Sequence, residues 1–390
     1  MLDFDYYVPT KIYFGKGKEN DVGRIINEYG YKKILIHYGG GSVIQSGLLD
    51  RVKKSLEDNN IAYVLLGGVL PNPDITLVKE GVKLARENSV DMILALGGGS
   101  VIDSSKSISH GFYYDGDPFD FNLKKKEPNK HLPVGVILTI SAAGSEMSTS
   151  CVISNRETEI KKGFNTELNR PLFAIENPEL TYSVSKYQTA CGISDIISHT
   201  FERYFSTSHE FEFSDYLAEG LMKSVMEAGL EAIKNPHSYE ARSALMLASS
   251  YSHNGLTSLG KKANMPIHQL EHELSARNPN IAHGAGLAVL TPAWMECVYQ
   301  NDREKFIKFA KNVMLITDEH DEELLIIKSI DKMKEFYESI GMPSTLTELG
   351  IVEDDIEIMA NRLSKDGTFV YESHVPLDKK LMIDIYRKCL

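Results

Sequence analysis

The chain has 390 residues, 42% hydrophobic and 25% charged, an ordinary balance for a soluble globular protein with length enough for two cores. A formal net charge of -12 argues against a nucleic-acid or anionic-membrane partner. Four scattered cysteines (Cys151, Cys191, Cys297, Cys389) form no CxxC pair and argue against a disulfide scaffold or zinc knuckle. The start, Met1 to Asp5, has neither the basic region nor the apolar run of a signal peptide, and no stretch approaches the ~20 apolar residues of a membrane span. The expected compartment is a reducing cytoplasm.

Residues 1–185 read as strands alternating with helices. Lys33 to Tyr38 is a short apolar run ending in Gly39-Gly40-Gly41-Ser42, and a helical pattern follows through Leu48, Leu49 and Val52. Ala62 to Leu66 ends in Gly67-Gly68, and the turn Pro71-Asn72-Pro73 precedes a helical stretch from Val78 to Glu87. Met92 to Leu96 is a third apolar run, ending in Gly97-Gly98-Gly99-Ser100. Strand, glycine turn and helix, repeated, predict a parallel sheet covered on both faces. Lys124-Lys125-Lys126 reads as a solvated turn.

The texture changes over residues 186–390. Amphipathic runs at 213–233, 240–252, 304–316, 322–340 and 356–363 predict a mostly helical second domain.

Open parallel sheets bind ligands at the carboxyl ends of their strands, where helix N-termini aim N–H groups outward. Gly97 to Ser100 stands at such a place, and glycines let backbone approach an anion closely. A GGGS turn alone is more often an ordinary tight turn, and neither glycine cluster fits G-x-G-x-x-G. For Asp103 and Lys106, just beyond it, a solvated helix face is the commoner fate. Gly39 to Ser42 occupies the position where a carboxylate would hold a ribose 2′-OH and repel a 2′-phosphate. Glycines and a serine there favour NADP over NAD.

Asp195 and His199 are four apart, as are His268 and His272, so on helices each pair shares a face. Alone, each has a structural explanation: a buried ion pair for Asp195, a satisfied core histidine for His199, a solvated face for His268 and His272. Together with His283, which precedes the small residues Gly284-Ala285-Gly286, they suit a divalent first-row metal with a position left open for substrate. Pro266 in the first turn marks the start of the His268 helix. Ligands in one half and phosphate-type turns in the other suggest a cleft between domains.

This ordered set of motifs resembles the iron-containing (group III) alcohol dehydrogenases, in particular their butanol-dehydrogenase-like branch. The resemblance runs nearly end to end, from Pro9-Thr10-Lys11-Ile12-Tyr13-Phe14-Gly15 through Tyr38 to Ser42, Pro71-Asn72-Pro73 and Gly97 to Asp103. It continues through Gly144-Ser145-Glu146-Met147, Asn177 to Thr181 and Gly192-Ile193-Ser194-Asp195, and ends at His272 to Ala276 and His283 to Ala288.

The resemblance implies a dehydroquinate synthase-like architecture. An α/β N-terminal domain with a parallel Rossmann-like sheet (1–185) would bind the dinucleotide, and an all-α C-terminal domain (186–390) the metal and substrate. It implies Fe²⁺ or Zn²⁺ on Asp195, His199, His268 and His283, with His272 unligated beside them as candidate proton relay. The pyrophosphate would lie on Gly97, Gly98, Gly99 and Ser100 with Asp103 nearby. Asn72, Thr139, Ser148, Lys161 and Leu180 match positions touching the cofactor, Gly39 joins the cofactor-binding set, and Gly40 and Ser42 would sit by the 2′-phosphate.

Departures occur at Ser141, Ala143 and Ser148, where the family usually has proline, threonine and asparagine, and at Asn264-Met265-Pro266 in place of Asp-Trp-Ala. The expected activity is reduction of short- to medium-chain aldehydes such as butanal, or oxidation of the alcohols, with NADP(H) favoured and NAD(H) the alternative. A homodimer is expected. A dehydroquinate-synthase-like lyase, a glycerol-dehydrogenase-like enzyme and a non-catalytic metal- or nucleotide-binding protein remain the alternatives.

Overall fold

Apolar runs that stop at glycine become neighbouring strands of one sheet. In the computed structural model the strands are β1 (Lys11–Phe14), β2 (Lys33–Tyr38), β3 (Ala62–Leu66), β4 (Met92–Gly97), β5 (Val134–Leu138), β6 (Ser150–Asn155), β7 (Ile160–Asn165) and β8 (Phe173–Glu176). Six form a parallel sheet in the order β1-β8-β5-β4-β2-β3, while β6 and β7 pair as a separate antiparallel ribbon.

Every residue of β4 is buried, as an apolar strand covered on both faces must be. Ile34, Ile36, Met92, Leu94 and Leu96 meet Val22, Ile25, Leu48, Val52 and Leu56 of two covering helices in one core. The helix Gly99–Gly111 packs against β2, β4 and β5. Sequence periodicity found β2, β3 and β4. It passed over β1, β5, β8 and the ribbon, which lack a glycine turn at their carboxyl end or are only four residues long.

The structure describes residues 1–206 and 212–390. They divide into two units: Tyr7–Ser183, and Met1–Tyr6 together with Val184–Leu390. The first six residues therefore go with the second unit, where Leu2 N–H donates to the Gly260 carbonyl at 2.8 Å.

That second unit is helical. Its helices start where the sequence supplies caps: Ser185 Oγ accepts from Gln188 N–H before Lys186–Tyr204, Asp321 caps Glu322–Ser339, and Pro266 is the first residue of Pro266–Arg277. Trp294 packs edge-on to Phe201 and Phe205 at 5.8 Å each, with Phe306 and Phe309 completing an aromatic centre. This centre buries one end of Lys186–Tyr204. No helix among the described residues is long and apolar enough to cross a membrane.

Candidate active site

Asp195 and His199 lie one turn apart on Lys186–Tyr204, a helix buried from Thr189 to Tyr204. His268 is in the first turn of Pro266–Arg277, and His283 is the first residue of His283–Val298. The three helices converge on one carboxylate oxygen. Asp195 Oδ1 lies 3.2 Å from His199 Nδ1, 3.7 Å from His268 Nε2 and 3.8 Å from His283 Nε2. Asp195, His199 and His268 offer ligand atoms within 4.8 Å of one another, and half-buried His283 stands just outside that trio. Gly284 permits the approach, since a Cβ there would sit 2.0 Å from the Cys191 carbonyl oxygen.

Asp195 Oδ1, His199 Nδ1 and His268 Nε2 are buried without a hydrogen-bond partner. An unsatisfied buried polar atom costs about 1–3 kcal/mol, and more when charged. A divalent first-row cation would satisfy all three, and carboxylate and imidazole are its ordinary ligands. The residues fit a metal.

Two glutamates not singled out in the sequence hold two of the imidazoles. His268 Nδ1–H donates to Glu202 Oε2, while Glu202 Oε1 accepts from the Ile267 and His268 backbone N–H groups at 2.5 and 3.3 Å. His283 Nδ1–H donates to Glu271 Oε2, and Ser275 Oγ–H donates to Glu271 Oε1. Each pairing fixes the tautomer and leaves the Nε2 lone pair free for a cation. Gly286 makes room for Glu271, whose Cγ would lie 2.9 Å from a Cβ at that position. For Glu202 the sequence carried the need for a partner, a glutamate on a largely buried helix beside a candidate ligand, but not which residue meets it.

His253, also passed over, brings its ring within 4.0 Å of the His199 ring, and its Nδ1 accepts from Arg203 Nη2 at 3.2 Å. Burial pulls His199 well below the ordinary histidine pKa. Burial opposes protonation of His268 too, but Glu202 and Asp195 outweigh it and raise that group to about 9. A proton and a cation therefore compete for His268. His272, one turn beyond His268, is half-buried, with its ring 6.0 Å from that of His283 and inclined 30° to it.

In the α/β unit the glycine turns follow the two strands between which the strand order reverses. The connection leaving β2 runs to β3 on one side, and the connection leaving β4 runs to β5 on the other. Gly39, Gly40 and Gly41 follow β2, with Ser42 opening a short helix. Gly97 ends β4, Gly98 caps Gly99–Gly111, and Ser100 sits in its first turn. A Cβ on Gly98 would fall 2.3 Å from the Ile140 side chain.

Thr139 follows β5, Leu180 lies in the turn after β8, and Asn72, beyond β3, holds a left-handed φ of 54°. Ser148 precedes β6 and Lys161 lies on β7, both buried. The helix N-terminus and its glycines can cradle a pyrophosphate. Asp103 and Lys106 depart from expectation. Instead of facing solvent, Lys106 is 1% exposed, and Asp103 turns inward to Ser145 and Val152.

The iron-containing alcohol dehydrogenase family model matches residues 9–178, and the C-terminal model of the same family matches 189–390. The chain belongs to the iron-containing alcohol dehydrogenase family. It is 44% identical over 389 residues to NADH-dependent butanol dehydrogenase A of Clostridium acetobutylicum, covering 100% of both chains. It is 33% identical over 378 residues to the NADPH-dependent aldehyde reductase YqhD of Escherichia coli, covering 96% of each. The crystal structure of NADH-dependent butanol dehydrogenase A from Thermotoga maritima superimposes with a TM-score of 0.95 at 36% identity, over 100% of this chain and 99% of that one. Family membership makes the chain a metal-dependent, NAD(P)-linked oxidoreductase of alcohols and aldehydes, which sets aside the lyase and non-catalytic readings.

Proposed function

We propose that the enzyme interconverts short- to medium-chain primary alcohols and aldehydes of the butanol/butanal type, with Asp195, His199, His268 and His283 as its metal ligands. The observation that carries this reading is the convergence of three imidazoles on Asp195 Oδ1 with buried polar atoms left unsatisfied. A divalent iron or zinc ion supplies Lewis acidity toward the substrate oxygen, and nicotinamide supplies or accepts the hydride. The chain's own part is placement. Glu202 and Glu271 aim two of the ligand imidazoles, and the Gly97–Ser100 turn and the Gly99–Gly111 N-terminus take the pyrophosphate. Asn72, Thr139, Ser148, Lys161 and Leu180 complete the cofactor site.

His272, beside His283 but outside the ligand trio, relays the proton between the substrate oxygen and solvent. His272→Ala should lower turnover by roughly 10²-fold with metal content unchanged. Loss of the metal in that variant would make His272 a ligand instead.

Gly39 to Ser42 brings neither an acid to grip a ribose 2′-OH nor a base to grip a 2′-phosphate, and a Cβ on Gly40 would meet nothing within 4 Å. Absence of the acid favours NADP(H). The relatives named NADH-dependent favour NAD(H) as the second reading. Butanal reduction by metal-stripped protein, restored with Fe²⁺ or Zn²⁺ and supplied with NADPH or NADH, tests both points. Metal-dependent turnover faster with NADPH supports the whole reading, and a clear NADH preference overturns only the 2′-phosphate argument. Silence in every combination removes the assignment of substrate. We further propose a cytoplasmic homodimer.

A further inference from the structure

The turn that would carry the pyrophosphate does not stand alone. The chain leaving β5 lies directly on it, since a Cβ on Gly98 would strike Ile140 and one on Gly99 would reach the Ala143 side chain at 3.0 Å. That chain continues as Gly144–Ser150, a stretch that includes Ser148 and no strand of the main sheet. Its shape is held from below by two side chains of the helix Gly99–Gly111.

The Lys106 ammonium donates at 2.8 Å to the Ser145 carbonyl, Ser145 Oγ and the Ser150 carbonyl, with the Ser148 carbonyl and Oγ at 3.3 Å. Asp103 Oδ1 accepts from Ser145 Oγ–H at 2.5 Å, and Oδ2 from the Val152 N–H at 2.8 Å. The two charges lie 3.8 Å apart. Five oxygens from one seven-residue stretch thus surround three ammonium protons, and both ends of the stretch are tied to the first two turns of one helix. Burial pushes the lysine's pKa down and the aspartate's up, each opposed first by the other's charge. A charge this deeply buried is strongly disfavoured unless its bonds are well made, so the ammonium and the stretch that solvates it hold each other in one geometry.

We propose that Lys106 and Asp103 are positioning residues that set the shape of Gly144–Ser150 for dinucleotide binding, without touching the cofactor themselves. Asp103 then acts through Ser145 and Val152, not by contact with the pyrophosphate. The proposal rests on the cofactor reading given above. It adds that the loop beside the glycine turn is preorganised by a buried ammonium, so that ordering it is not charged against cofactor affinity.

The test is a nicotinamide-fluorescence titration of NADPH and NADH, with steady-state kinetics, on metal-loaded wild type, Lys106→Met and Ser145→Ala. Lys106→Met should raise the Kd and KM for cofactor on the order of 10-fold or more. Metal content, the KM for butanal and kcat at saturating cofactor should change little. Ser145→Ala, which removes one contact of each charge, should move the same quantities in the same direction by less. A folded Lys106→Met protein with a lower melting temperature but unchanged Kd overturns the proposal, leaving the lysine merely structural. Where Lys106→Met does not fold, Ser145→Ala decides on the same criterion. Wild type that binds neither dinucleotide brings down the cofactor reading and the proposal with it, whereas failure of the clamp alone leaves wild-type binding intact.

Discussion

The two units each bury histidines, and they treat them in opposite ways. In the α/β unit His37 Nδ1–H donates to the Leu66 carbonyl at 2.9 Å, and Nε2 accepts from Ser104 Oγ–H at 2.8 Å. His110 Nε2–H donates to Asn169 Oδ1 at 2.8 Å. These rings are neutral core members whose N–H groups are spent on oxygens within the fold. In the helical unit Asp195, His199 and His268 are as deeply buried, yet each keeps a polar atom without a partner. Burial alone does not mark a functional histidine. What marks it is burial combined with an unspent ring nitrogen facing a buried carboxylate, and for His268 a second carboxylate fixing the opposite nitrogen.

The sharpest way to break this contrast is to remove one residue of the unsatisfied set. His268→Ala should abolish metal retention and reduce turnover by at least about 10³-fold, because the open ligand position cannot be supplied by packing. Metal content of the purified variant and activity after Fe²⁺ or Zn²⁺ addition check it. A variant that keeps stoichiometric metal and near-normal rate would return His268 to the class of His37.

The satisfied set predicts a stability effect instead. Burial lowers His37 and His110 to about 4, against 6.5 for the exposed ring. Between those values the unfolded chain binds protons that the folded one does not, so stability rises with pH and is lost as pH falls from 6.5 to 4. The loss is roughly 3 kcal/mol per group at the acid end. Urea unfolding of the α/β unit across that window measures it, and His37→Gln should remove its share of the slope while leaving metal content unchanged. An equal slope in the variant would show that His37 does not carry the effect.

The glutamates behind the ligands lie between these extremes. Glu202→Gln and Glu271→Gln keep the shape and remove the charge that fixes the imidazole tautomer. Each should weaken metal affinity by about 10–100-fold. Competition with a chromogenic chelator reads this directly. Unchanged affinity would make the glutamates structural partners of the same kind as Asn169 behind His110.

Sequence and structure agreed best where chemistry comes in short periodic units. The spacing of four between Asp195 and His199, Pro266 before His268, and the small residues after His283 all translated into the observed helices and their convergence. The Gly39 and Gly97 turns lie at the carboxyl ends of the adjacent strands β2 and β4, where the apolar runs stop.

What escaped depended on contacts distant in sequence. Glu202 meets His268 across 66 positions, and Lys106 reaches Ser145 across 39. Nothing local in the Asp103–Lys106 stretch separates a solvated face from a buried clamp. Strands β5 and β8 lacked a punctuating glycine, so their pairing emerged only from the completed sheet.

The smallest expected effect concerns the cofactor's ribose, and it asks whether a site can be defined by what it lacks. Ser42 opens a short helix beside Gly40, both exposed and with no charged side chain in the turn from Gly39 to Ser46. An aspartate placed there would supply the missing acceptor for a 2′-OH and repel a 2′-phosphate. Ser42→Asp should shift the NADH-to-NADPH ratio of kcat/KM toward NADH by about tenfold, near 1.4 kcal/mol. Most of that change should come from a raised KM for NADPH, with kcat for butanal and metal content unaltered. A loss of both cofactors in parallel would mean that the turn is needed for its backbone alone. No change with either would move the ribose away from Gly39 to Ser42, and the argument for NADP(H) would go with it.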